Sequence, residues 1–257
     1  MSNRTVRPVH AIPLLPLPSG SRIVSLLRRE KRFLVLVQDG DDAFWVHTNN
    51  SGSMVGLVRE GRRAVISPAP SPKRKLPWTL EMIELTPGRE DWVGVNTLTP
   101  NRLLAKAFHA GVLQALVGLH GYTLLRPEAP CGESRIDALL MGPQAPPLWV
   151  EAKNVTLVED EVAAFPDAVT VRGRGHLEVL MERVARGERA AVCCCIQRPD
   201  GRCFGPADYI DPAFAATFWR ALEAGVEVWP LRVSVSPAGM GLAGRLPLAQ
   251  RPASGQK

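Results

Sequence analysis

Two short segments constrain this chain more than any others: Ser134–Arg135–Ile136–Asp137 and Trp149–Val150–Glu151–Ala152–Lys153. Both have strand character, and between them lies Met141–Gly142–Pro143–Gln144–Ala145–Pro146–Pro147, a stretch rich in turn formers. In a strand, residues two apart share a face, so Glu151 and Lys153 project together, as do Glu133, Arg135 and Asp137 on the neighbouring strand. An antiparallel hairpin then sets Asp137 beside Glu151. Two adjacent carboxylates repel, and a hard cation such as Mg²⁺ relieves that repulsion while retaining several waters. Water polarised by such an ion, with a lysine at hand, suits phosphodiester hydrolysis. Taken alone, the same three residues fit a surface ion pair on a hairpin equally well.

The chain around this pattern is 257 residues long, room for one large or two small domains. No run of about 18 apolar residues would make a membrane-spanning helix, and the Pro-rich first twenty residues lack the apolar core of a signal peptide. A cytoplasmic, non-membrane protein is therefore expected. The five cysteines agree: three are consecutive, Cys193–Cys194–Cys195, in an apolar run without zinc-type spacing, and read as small buried hydrophobes.

The net charge of +6 is unevenly spread. Residues 1–75 hold 13 Lys/Arg against 5 Asp/Glu, a balance of +8, and residues 76–257 hold 18 against 20, a balance of −2. A basic module joined to a near-neutral one with clustered acids suits an enzyme that works on a polyanion. Within the basic module, Phe33–Val37, Ala43–His47, Gly61–Ile66 and Trp78–Leu85 read as short strands, the first two joined through Asp39–Gly40. Several short strands without a long helix suggest a small barrel of OB type, a fold that commonly binds nucleic acid. Arg28, Arg29, Lys31 and Arg32 form one basic cluster, and Lys73, Arg74 and Lys75, in a loop flanked by Pro68, Pro70, Pro72 and Pro77, form another. Each phosphate contact from such clusters would add a salt-dependent increment to binding. Phe33, Trp45 and Trp78 are candidates for base stacking, although core packing is the more ordinary role for each. Gly52, in Asn49–Asn50–Ser51–Gly52–Ser53–Met54, is expected to serve a turn needing positive φ.

Beyond a boundary expected at Thr86–Glu90, Thr99 as N-cap and Pro100 at the first helical position open a helix running to about Leu119. The acidic stretch Val158–Val162 reads as an exposed loop, with a second cation site as the less favoured alternative. A helix near Ala168–Arg186 carries Arg172, a candidate phosphate clamp or a partner for that acidic loop. Asp211 and Pro212 start a third helix, and Arg189–Gln197 and Val226–Leu231 read as strands buried on both faces.

Several longer motifs occur in order. They are Lys31–Arg32–Phe33–Leu34, Val95–Asn96–Thr97–Leu98 with Asn101–Arg102–Leu103, Ser134–Asp137, Val150–Leu157, Phe165–Thr170, Arg172–Gly173 and His176–Leu177. Together they resemble the sugar fermentation stimulation protein (SfsA) family, over roughly residues 22–248. The resemblance implies a DNA-binding protein of α+β type in two domains: an N-terminal OB-like β-barrel and a C-terminal α/β domain similar to PD-(D/E)xK nucleases. Asp137, Glu151 and Lys153 fall on the D…ExK positions of that pattern. PD-(D/E)xK folds often place a further acidic ligand on the first helix. Here that helix offers Lys106 and His109 but no acid, which leaves Glu133 as the substitute. The expected organisation is a Pro-rich tail (1–20) whose Leu14, Leu15 and Leu17 pack on the barrel, the barrel (21–90), the nuclease-like domain (91–246) and a polar tail (247–257). The expected cofactor is Mg²⁺ or Mn²⁺ on Asp137, Glu151 and Glu133, with Arg135 or Arg172 holding a phosphate and Lys153 orienting or deprotonating water. The expected partner is DNA, with RNA as a second possibility and a homodimer left open. The rival reading is a non-catalytic DNA-binding regulator of sugar metabolism on a nuclease-like scaffold.

Overall fold

The computed structural model describes residues 13–69, 71 and 73–251. The expectations for residues 1–12 and 252–257, and for Pro70 and Pro72, lie outside the described residues. A two-residue strand, β1 (Leu15–Pro16), comes first. Five strands then form the N-terminal unit: β2 (Arg22–Glu30), β3 (Leu34–Asp39), β4 (Asp42–His47), β5 (Arg63–Pro68) and β6 (Trp78–Glu84). Strands β2–β3, β3–β4, β2–β5 and β5–β6 pair antiparallel, and a parallel bridge between His47 and Thr79 joins β4 to β6 and closes the ring. Apolar residues in alternation fill the closed barrel: Val24, Leu26, Val35, Val37, Val46, Ala64, Ile66, Leu80 and Ile83. Met54 and Leu57, from the connection between β4 and β5, join that core. Closure leaves no free sheet edge among these five strands except where β7 (Trp92–Gly94) adds to β6. The barrel sheet therefore runs past the expected boundary at residue 90 and ends at Gly94.

Two helices follow, α1 (Thr99–His109) and α2 (Val112–Val117). One long helix was expected, but Gly111 at φ 74° breaks it, and helix α1 starts at Thr99 itself. Next come β8 (Leu124–Cys131), β9 (Ser134–Gly142) and β10 (Ala145–Val155). The acidic stretch is a hairpin rather than a loop: β11 (Leu157–Glu159) and β12 (Val162–Phe165) are joined by Asp160 and Glu161, both at positive φ. Then follow α3 (Val171–Ala185), β13 (Arg189–Ile196), β14 (Cys203–Pro206), α4 (Pro212–Glu223), β15 (Glu227–Ser236) and β16 (Gly239–Arg245). The main sheet has the order β1-β16-β15-β13-β10-β9-β8, with β10, β13 and β15 parallel. A small sheet, β11-β12-β14, lies beside it.

Strand β13 explains the layering. Its alternate residues enter different cores: Cys193 and Cys195 join Leu103, Leu104, Ala107 and Phe108 of α1, whereas Val192 and Cys194 join Leu177 and Leu180 of α3 and Phe214 and Phe218 of α4. An uninterrupted apolar sequence is what a central strand covered on both faces requires. All five cysteines are free, four of them buried, and Asp211 caps α4 by accepting a hydrogen bond from the Phe214 N–H. The α1-side core also takes in Val65, Met82 and Trp92 from the barrel, so the two units share packed apolar surface. Leu14, Leu15 and Leu17 pack against this same core, with β1 on β16, and not on the barrel as expected. At the other end, residues 247–249 lie along β14 through Phe204. No helix among the described residues is long and apolar enough to cross a membrane.

Candidate active site and barrel surface

The β9–β10 ladder pairs Leu140 with Leu148, Leu139 with Trp149 and Ala138 with Val150, and there it ends. Continuing the register sets Asp137 opposite Glu151. At that point the Asp137 carboxylate stands in for a main-chain acceptor: its Oδ2 accepts the Ala152 N–H at 2.8 Å. Its Oδ1 accepts from Asn101 Nδ2 of α1 at 2.7 Å. Burial, and then the nearby Glu151 charge, push Asp137 above the usual aspartate range, and the Ala152, Asn101 and Lys153 contacts offset this only in part.

Glu151 is 3% exposed and Lys153 9%. Lys153 Nζ donates to Glu151 Oε1 at 2.7 Å, and His176 of α3 meets the same oxygen through Nδ1. Arg172 Nε donates to His176 Nε2 at 3.3 Å. Assigning His176 Nε2 as the acceptor from Arg172 places the ring proton on Nδ1, directed at Glu151 Oε1. Burial alone would raise Glu151, but the His176 hydrogen bond and the Lys153 charge outweigh it and hold the carboxyl below the usual glutamate range. Its other oxygen, Oε2, is buried with no hydrogen-bond partner. A buried carboxylate oxygen without a donor is costly unless something else meets it. The arrangement fits a divalent cation: an ionised Glu151 presenting a bare Oε2, with the charge of Asp137 close by.

Glu133 does not belong to this group. It lies exposed in the β8–β9 turn, outside the strand that was expected to carry it, and among the described residues no three His, Cys, Asp or Glu side chains converge closely enough to hold a metal. Arg135 and Arg172, both exposed, line an open cavity with Glu133, Ser134, Gly175 and His176. Arg172 is thus tied to the centre through His176, whereas Arg174, two residues on, pairs with Asp211 at 3.5 Å. His176 and Asn101 escaped the sequence reading as site residues. Both come from helices remote in sequence, and the only local signal was their place in the colinear motifs.

On the barrel, the basic residues divide by what already holds them. Arg29 is spent on the fold: its guanidinium donates to the carbonyls of Arg32, Asn50 and Gly52, pinning the 49–54 loop, and burial lowers its pKa. Its assignment to nucleic-acid contact is corrected accordingly. Arg28 pairs with Glu30 at 2.8 Å and lies 5.4 Å from the Trp45 ring. Lys31 and Arg32 are exposed at positive φ in the β2–β3 turn. Beside them Phe33, 42% exposed, stacks with His47 at 6.2 Å. Lys73 and Lys75 are exposed between β5 and β6, and Arg74 donates to Thr79 Oγ1. His47 bridges to Thr79, the residue that accepts from Arg74, and stacks on Phe33, so the two basic clusters meet at one end of the barrel; burial, then the Arg74 charge, lower the His47 pKa. Trp78 is half-buried under Arg22, 4.1 Å away.

Gly52 is not at positive φ. It is glycine because a Cβ there would lie 2.3 Å from Asp167 Oδ2. Ser53 Oγ donates to the Asp167 carbonyl at 3.0 Å, which fastens the barrel loop to the segment that leads into α3.

Comparison with known proteins agrees with this architecture. Residues 27–95 match the family model described as SfsA N-terminal OB domain, and residues 98–239 match the model described as sugar fermentation stimulation protein RE domain. A sugar fermentation stimulation protein homolog of Syntrophobacter fumaroxidans is 48% identical over 95% of this chain and 92% of its own length. One from Maridesulfovibrio salexigens is 49% identical over 92% of this chain and 98% of its own. A solved structure described as Pyrococcus furiosus SfsA in complex with Ca²⁺ superposes with a TM-score of 0.83 at 26% identity, covering 93% of this chain and all of that one. The chain, an OB barrel fused to an α/β domain, belongs to the sugar fermentation stimulation protein (SfsA) family.

Proposed function

We propose that the chain binds DNA through its barrel and hydrolyses phosphodiester bonds at Asp137, Glu151 and Lys153 with Mg²⁺ or Mn²⁺. The observation that carries this reading is Glu151 Oε2, buried and unpartnered, beside a second carboxylate. A surface ion pair has no reason to leave such an atom bare. Asp137 and Glu151 would hold the ion, which supplies Lewis-acid polarisation and charge neutralisation at the phosphate. The two ligands leave room for coordinated water, as Mg²⁺ prefers.

The remaining work belongs to the chain's own groups. His176 and Lys153 fix Glu151 Oε1, so the carboxylate cannot rotate its bare oxygen away. Lys153 keeps N–H donors beyond the one given to Glu151, and these orient water or a non-bridging phosphate oxygen. Its ion pair with Glu151 favours the orienting role over proton abstraction. In the reaction, the water oxygen bonds to phosphorus, the bond to the leaving sugar oxygen breaks, and one proton passes from the water to that oxygen. Arg172 and Arg135, on the open wall beside His176, would meet the phosphate charge. Lys31, Arg32, Lys73 and Lys75 would contact flanking phosphates, with Phe33 and His47 stacking bases.

The test is cleavage of end-labelled DNA in Mg²⁺ and in Mn²⁺, by wild type and by Asp137→Ala. Loss of cleavage with DNA binding retained supports the proposal, and an unchanged rate refutes it. Binding without cleavage by the wild type under either ion would leave the regulator reading.

A further inference from the structure

Lys153 opens into a cleft between barrel and α/β domain, and the size of that cleft restricts what can reach the centre. Its volume is about 390 Å³, and its walls include Arg32 and Ser51 from the barrel, Thr97 from the connection, and Lys153, Asn154 and Phe165 from the α/β domain. That volume lies in the range of pockets that hold one small organic ligand. Two features keep the walls from parting. Gly52 packs on Asp167 with no room for a Cβ, and Ser53 bonds the Asp167 carbonyl. Farther back, Val65, Met82 and Trp92 of the barrel are buried in the α/β core. The wall is also continuous with a stacking surface, because Arg32, in the cleft, precedes the exposed ring of Phe33. On the far side of Glu151, His176 opens onto the cavity holding Arg172 and Arg135.

We infer that the substrate is a single unpaired DNA strand, threaded from Phe33 and His47 through the cleft past Lys153 to Arg172 and Arg135, and that paired duplex does not reach the centre. This inference rests on the hydrolase reading for its chemistry but not for its binding selectivity. A cleft of nucleotide-sized volume, with Arg32 on one wall and Lys153 on the other, suits a single backbone. Exposed aromatics stack on unpaired bases, and these are available only in a single strand.

Binding and cleavage are measured separately, so that the two readings fail separately. Fluorescence anisotropy with the full chain compares a labelled single-stranded oligonucleotide, the same sequence as blunt duplex, and a single-stranded RNA, in wild type and in Asp137→Asn. Single-stranded DNA is expected to bind at least tenfold tighter than duplex in both proteins. Phe33→Ala should weaken single-strand binding by roughly tenfold while leaving duplex binding within twofold, and Arg32→Gly, which removes a phosphate contact, should weaken single-strand binding by roughly tenfold. Arg32 is at φ 58°, so glycine removes the side chain without backbone strain. In Mn²⁺, cleavage of a duplex with one single-stranded tail should fall within the tail. Equal affinity for duplex and single strand, or cleavage inside blunt duplex, overturns the inference even if the hydrolase reading stands. Tighter binding of RNA than of DNA overturns the choice of DNA. Single-strand selectivity with no cleavage of any substrate overturns the hydrolase reading and leaves the strand selectivity supported.

Discussion

Two acidic hairpins follow one another in this chain, and they differ in what surrounds their carboxylates. In the β9–β10 hairpin, Asp137 and Glu151 are drawn into the protein, meet a helix each, and have pKa values displaced in opposite directions. In the β11–β12 hairpin, Asp160 and Glu161 form the tip, and Glu161 pairs with Arg202 at 2.7 Å where both side chains are well exposed. The first arrangement holds a buried oxygen without a partner, and the second offers its charges to water. Acid content alone does not separate them. Chemistry is concentrated where a carboxylate has lost water and gained only part of a replacement.

The largest effect that would sharpen this contrast is on catalysis. Asp137→Asn should reduce metal-dependent cleavage to background in a gel assay, whereas Glu161→Gln should leave the rate within twofold. Next is stability. Lys153→Ala leaves the Glu151 carboxylate buried with His176 as its only donor, and chemical denaturation should show a loss of about 3 kcal/mol. Adding Glu151→Gln should recover much of it, because the uncompensated charge is then gone. No recovery in the double variant would mean that Lys153 stabilises by packing alone.

Asp137 gives a pH dependence of known sign. Its folded-state pKa is raised, so its protonated form is favoured by folding; its contribution to stability is present below the unfolded value and lost as pH rises through the folded one. Asp137→Asn should therefore make the ion-free protein more stable than wild type at neutral pH, by thermal melting. A cation needs the deprotonated carboxylate, so Mn²⁺ affinity should start to fall on acidification at a higher pH than an ordinary aspartate would give. A wild type more stable than Asp137→Asn at pH 7, without added ion, would contradict the assigned direction. The smallest effect belongs to the other hairpin. Asp160 sits at φ 47°, and Asp160→Gly should stabilise by about 0.5–1 kcal/mol with no change in ion affinity.

The parts legible in the sequence are those with a local signal. Short β-prone runs separated by turn formers marked the barrel strands, the continuous apolar run marked β13, and the turn-rich spacer between Asp137 and Glu151 marked the hairpin that joins them. The parts that escaped depend on distant contacts. His176 looks like any helical residue until α3 packs over β10, and Asn101 becomes a partner of Asp137 only once α1 is laid on the sheet. Strands β11, β12 and β14 are three or four residues long, too short for an alternating pattern to separate them from loop. Gly52 carried a turn-like signal, but its reason is the approach of Asp167, 115 positions later. Arg29 looks like its basic neighbours in sequence, and only the carbonyls gathered around it show that its charge is committed to the fold.

Calorimetric titration of the ion-free protein with Mn²⁺ tests the central claim most directly, run in parallel on Glu151→Gln, Asp137→Asn and Glu161→Gln. The account predicts saturable binding in wild type and Glu161→Gln, and its loss in both Glu151→Gln and Asp137→Asn. Equal binding by all four proteins, or loss with Glu161→Gln alone, would show that the buried pair does not hold the ion.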